Sequence, residues 1–105
     1  MEMEKRNILN RISASIKKLD KDAEIYLFGS RARGDENSDS DWDILILLDR
    51  PVGLRDEQKF RHLLIPLEIE VAQAFSVFLY NKKEWNTKHS ITPFFQNFTK
   101  ESIKI

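Results

Sequence analysis

The sequence predicts an α/β domain with a mixed central sheet and helices packed mainly on one side of it. Three features carry this reading: an amphipathic helical stripe near the N-terminus, two apolar strand runs of which the second is almost unbroken, and a further helical stretch before a later strand. At 105 residues the chain fits one compact unit around one core, and residues 1–105 are read as a single domain.

Ile8, Ile12, Ile16 and Leu19, with Leu9 beside them, recur every three to four residues, the spacing that lines one face of a helix over about residues 3–19. Asp20-Lys21-Asp22 breaks that helix. Ile25, Tyr26, Leu27 and Phe28 then form a short apolar run ending at Gly29, read as a buried strand. Gly34 to Ser40 holds no apolar residue and is expected to be an exposed loop. From Trp42 to Leu48 the run Ile44-Leu45-Ile46-Leu47-Leu48 is continuous, as in a strand covered on both faces. Asp49-Arg50-Pro51-Val52-Gly53 closes it as a turn.

Leu54 to Ile65 follows helical spacing, with Phe60, Leu63 and Leu64 on one face. Beyond it two readings stand. Pro66 removes a helix N–H at a cost of about 3 kcal/mol, and Leu67, Ile69 and Val71 alternate with Glu68 and Glu70, which describes a strand. Alternatively Leu64, Leu67, Val71 and Phe75 keep helical spacing, and the helix continues to about Gln73. Ser76 to Tyr80 is a strand under either reading. Lys82 to Trp85 forms a short helical turn, and Phe94, Phe95 and Phe98 sit as a packing helix places them within Pro93 to Ile105.

Composition excludes several functions. Acidic and basic residues balance at 17 each, so no global field draws the chain to nucleic acid or to an anionic membrane. Cysteine is absent, which removes disulfides, thiolate nucleophiles and thiolate zinc sites. His62 and His89, the two histidines, are far apart in sequence and suggest no zinc site. Met1 to Arg11 is charged throughout and lacks the apolar core of a secretory signal, and no window approaches the roughly 18 apolar residues of a membrane span. A cytoplasmic protein is expected.

The chemistry is concentrated in Phe28-Gly29-Ser30-Arg31-Ala32-Arg33-Gly34 and, after the polar loop, Asp41-Trp42-Asp43-Ile44, with ten residues between Ser30 and Asp41. Gly29 has no Cβ, so its backbone can approach a phosphate closely at a strand end. Ser30 would open a short helix whose free N–H groups, dipole and hydroxyl favour phosphate oxygens. Arg31 and Arg33 supply guanidinium forks for the outer phosphates. Asp41 and Asp43, two apart on a strand, leave the same face about 7 Å apart. Like charges so placed are unfavourable unless a cation lies between them, and magnesium, which takes carboxylate oxygens together with substrate phosphates, is the natural one. Two such ions roughly 3.5 to 4 Å apart would activate an attacking oxygen and stabilise leaving pyrophosphate in an in-line displacement. The reaction implied is transfer of a nucleoside monophosphate from a triphosphate to an acceptor hydroxyl. Trp42, between the aspartates, points to the opposite face and is read as core.

The stretch from Gly29-Ser30 to Asp41-Trp42-Asp43 resembles the glycine-serine, ten-residue gap, aspartate-x-aspartate motif of the DNA polymerase β nucleotidyltransferase superfamily. The Ser30-Arg31-Ala32-Arg33-Gly34 wording is similar to that of the minimal nucleotidyltransferases, which are often encoded beside a HEPN-domain protein. The resemblance is strongest from about Tyr26 to Leu48. It implies a polymerase β-like nucleotidyltransferase fold, ATP as the preferred triphosphate, an acceptor hydroxyl on a HEPN toxin, and an antitoxin role for this chain. It also implies a third carboxylate on a later strand, facing the first two. Ser76 to Tyr80 contains none. If residues 67–71 form a strand, Glu70, or failing it Glu68, supplies that ligand; if they form a helix, the ligand is missing or misplaced, and a non-catalytic nucleotide- or partner-binding module with the same fold becomes the rival reading.

Overall fold

The computed structural model describes residues 4–37 and 39–105. In chain order it comprises α1 (Lys5–Leu19), β1 (Glu24–Phe28), α2 (Ser30–Arg33), β2 (Trp42–Leu48), α3 (Leu54–Val71), β3 (Phe75–Asn81), α4 (Lys82–Thr87), α5 (Pro93–Glu101) and β4 (Ile103–Lys104). Residue 3, where the first helix is expected to begin, lies outside the described residues, as does Ser38 in the polar loop.

The sheet order is β3-β2-β1-β4. It is mixed: β2 runs parallel to β3 and antiparallel to β1, and β4 pairs antiparallel with β1. The continuous apolar run of β2 follows from this position. Ile44, Ile46 and Leu48 face one side with Trp42, while Leu45 and Leu47 face the other, and all are buried.

Each face has its own core. The two long helices share one side, where Ile8, Ile12 and Ile16 of α1 and Phe60, Leu64 and Leu67 of α3 pack on Ile25, Leu27, Trp42, Ile44 and Ile46. The other side is not bare. Trp85 of α4 and Phe98 of α5 close it over Phe28, Leu45 and Leu47, with Tyr26, Phe78, Tyr80, Phe94 and Phe95 packed around them.

The ambiguity at Pro66 resolves as helix: α3 continues through it to Val71. Burying Phe60, Leu64 and Leu67 on one stripe is worth about 1.5–3 kcal/mol for each side chain, which outweighs the roughly 3 kcal/mol penalty of a proline in a helix. Pro66 itself is on the exposed side, where water can satisfy the carbonyl left without a donor. Among the described residues no helix is long and apolar enough to cross a membrane.

Candidate active site

The site is assembled where β1 ends and β2 begins. Gly29 has φ +76° and ψ −158°, a conformation open essentially to glycine alone. A Cβ there would lie 2.2 Å from Oδ2 of Asp43. The backbone turn and the carboxylate are therefore packed directly against each other, and only a residue without a side chain permits it.

Two strand registers fix what surrounds Asp43. It stands opposite Phe28 on β1 and beside Ser76 on β3. Phe28 is buried against the rings of Phe78, Phe94 and Phe98, so one side of the carboxylate is an aromatic wall. Asp41 precedes the strand by one residue and is exposed. Burial pushes the Asp43 carboxyl above its ordinary range, the negative charge of Asp41 adds to the rise, Arg33 opposes it and Glu101 adds a little more. The ionised pair is thus electrostatically loaded in the absence of a cation.

The two arginines, read alike in the sequence, have different surroundings. Arg31 is only 6% exposed. Its Nε and Nη2 donate to the Ser40 carbonyl at 3.0 and 2.9 Å, Nη2 also reaches the Asn37 carbonyl at 3.5 Å, and its guanidinium lies 4.3 Å from the centre of the Trp42 ring. Two of its three guanidinium nitrogens are thus engaged by the loop that delivers Asp41. Arg31→Ala is expected to lower stability by about 1–3 kcal/mol, because part-buried carbonyls lose a charged donor, with Arg31→Lys a poor rescue since it lacks the fork; a urea titration of both variants checks this.

Arg33 is about half exposed and pairs with Glu101 at 2.9 Å and Asp35 at 3.2 Å. It remains a candidate for phosphate contact, since exposed pairs of this kind are weak and exchangeable. Gly29 and Ser30 occupy the strand-to-helix turn as expected, with the Gly29 carbonyl accepting from Ala32 and Arg33.

For Glu70 the helical alternative holds. Because α3 continues to Val71, Glu70 lies on a helix and pairs with Arg11 at 2.6 Å. Glu68, the alternative, lies on the same helix. Among the described residues no three acidic, histidine or cysteine side chains converge as a metal cluster. The strand neighbour of Asp43 is the hydroxyl-bearing Ser76. Neither that placement nor the approach of Glu101 is legible in the sequence, because both depend on pairings between distant segments.

The family comparisons agree with this geometry. The nucleotidyltransferase domain family matches residues 9–105. No curated protein sequence matches the chain. Among solved structures, one named as a candidate minimal nucleotidyltransferase superposes with a TM-score of 0.64 at 21% identity, covering 98% of this chain and 97% of that one. A toxin–antitoxin structure containing AMP-PNP matches with a TM-score of 0.65 at 19% identity, over 90% of this chain and 69% of that one. A variant of the toxin–antitoxin pair MntA–HpeT gives 0.62 at 18% identity, over 92% and 70%. With the Gly29-Ser30 turn set against Asp43 and the family match spanning nearly the whole sequence, the chain belongs to the nucleotidyltransferase domain family and has the fold of its minimal members.

Proposed function

We propose that this chain is a magnesium-dependent nucleotidyltransferase that moves a nucleoside monophosphate, AMP by preference, from its triphosphate to a hydroxyl of a partner protein. We place it in the cytoplasm as a single domain and as the antitoxin of a toxin–antitoxin pair, with a HEPN-domain toxin as the acceptor. The observation that carries the reading is the contact between Gly29 and the Asp43 carboxylate, which sets a phosphate-approaching turn against a carboxylate pair. The toxin–antitoxin neighbours, one of them with AMP-PNP, support the nucleotide and the kind of partner.

The donor set suits a hard divalent cation: two carboxylates at alternate positions, one with its proton affinity raised by burial and by the other, and no nitrogen or sulfur ligand among them. When bound, magnesium would neutralise charge on the phosphates and favour ionisation of the attacking hydroxyl. The Gly29 turn and the first N–H groups of α2 would hold phosphate oxygens. Arg33 would exchange Glu101 and Asp35 for the outer phosphates. Arg31, through Ser40 and Asn37, holds the loop from which Asp41 projects.

A second reading, binding of nucleotide or partner with little turnover, is favoured by one observation: Ser76, not a carboxylate, stands beside Asp43. A serine hydroxyl cannot take the acceptor's proton as a carboxylate does. Ser76→Asp is therefore expected to raise transfer by about tenfold or more, within the usual contribution of a positioned base.

The test is incubation with magnesium and labelled ATP, with and without the protein encoded beside it, following pyrophosphate release and label transfer. Transfer to the partner supports the enzyme. Nucleotide binding without label movement in either the native chain or Ser76→Asp would give the binding-module reading the lead.

A further inference from the structure

β3 is an edge strand with features that edges normally avoid. Among the described residues it pairs only with β2; it runs for seven residues, and its sequence Phe-Ser-Val-Phe-Leu-Tyr-Asn contains neither charge nor proline, the usual protections against pairing with another chain. Along this edge runs an open cleft of about 510 Å³ between Phe75–Phe78 and the α3 residues Gln58, Arg61, His62, Ile65 and Glu68. The outer side of α3 adds exposed apolar side chains: Leu54 is 71% exposed, Ile65 43% and Ile69 75%. An unpaired strand edge and an unpartnered apolar helix stripe thus adjoin on one side of the molecule.

The charges in this cleft are self-complementary. Arg61 and Glu68 are seven positions apart on α3, two turns on one face, with Ile65 between them. Neither enters an ion pair among the described residues. If a second α3 is laid antiparallel against the first about a two-fold axis near Ile65, Arg61 meets the partner's Glu68 and Glu68 meets the partner's Arg61. The same axis, perpendicular to the sheet, sets β3 antiparallel beside the partner's β3. It leaves both α3 helices on one face, as an isologous interface requires.

We propose that the chain forms a two-fold homodimer through β3 and α3, joining two four-stranded sheets into one of eight strands. Ile65 packs across the axis, and the paired Arg61–Glu68 contacts set the antiparallel register. The dimer does not depend on nucleotidyl transfer, and Asp41→Asn dimerises as the native chain does.

Sedimentation equilibrium across a concentration series tests this. The expected mass is twice that of one chain. Arg61→Glu and Glu68→Arg, both at exposed or half-exposed helix positions, each create two like-charge contacts and are expected to weaken the dimer about tenfold or more. The double variant restores it, with circular dichroism confirming that all three fold. Amide exchange along β3 slows as concentration rises. A monomer at every concentration overturns the proposal. So does a dimer that is indifferent to both single reversals, or one that leaves β3 amides unprotected, since its interface then lies elsewhere.

Discussion

Asp41→Asn is expected to abolish nucleotidyl transfer, by about a thousandfold or more, because the neutral amide removes half of the negative charge that holds the cation where phosphoryl charge develops. The fold should be untouched. Asp41 is exposed one residue before β2, and its charge is one of the causes that raise the Asp43 carboxyl. The sign of the stability effect follows. A carboxyl whose pKa is raised on folding favours the folded state below the ordinary carboxylate range, and that contribution is lost as pH rises through the raised value. Removing the neighbouring charge relieves this loss, so Asp41→Asn should melt at neutral pH no lower than the native chain. A scanning thermal melt and a label-transfer assay on one preparation check both halves. Full activity in the variant would sink the assignment of Asp41 as a metal ligand.

Gly29→Ala is expected to be the most damaging single-methyl change. It forces an alanine into a conformation that costs about 1–3 kcal/mol for any residue with a Cβ, and it drives that Cβ to 2.2 Å from Asp43 Oδ2, so the carboxylate must move. A total loss of about 3 kcal/mol or more, with nucleotide binding lost alongside, is expected from strain and overpacking together. Gly34 provides the contrast. Its φ is +85°, but a Cβ there meets nothing within 4 Å, so Gly34→Ala pays mainly the backbone penalty of about 1 kcal/mol. Urea midpoints for the pair, with nucleotide affinity measured on each, separate the two causes. Native-like stability and affinity in Gly29→Ala would overturn the packing account.

Local periodicity carried much of the architecture. The spacing of Ile8, Ile12 and Ile16 and the unbroken run after Asp43 describe α1 and β2 because each buries its apolar side chains in a simple geometric repeat. Residues 66–71 satisfy two repeats at once. Strand alternation of Leu67, Ile69 and Val71 competes with the helical continuation from Leu64 through Leu67 to Val71, and packing of Phe60, Leu64 and Leu67 under the sheet decides it. That decision also places Glu70 on the helix, where it meets Arg11.

By itself the sequence determined the pairing of a glycine-serine turn with two aspartates at a spacing that one short helix and one loop can bridge, and hence the family and the class of chemistry. Only the tertiary structure decided how like residues divide their work. Arg31 and Arg33 are two positions apart and chemically identical, yet one is buried on loop carbonyls and the indole of Trp42 while the other faces the site with Glu101. Ser76 and Glu101 reach the same place from segments remote in the chain. The physical reason is range: helix and strand periods act over a few residues and are written locally, whereas burial, hydrogen-bond partners and charge neighbours are set by which segments the fold brings together.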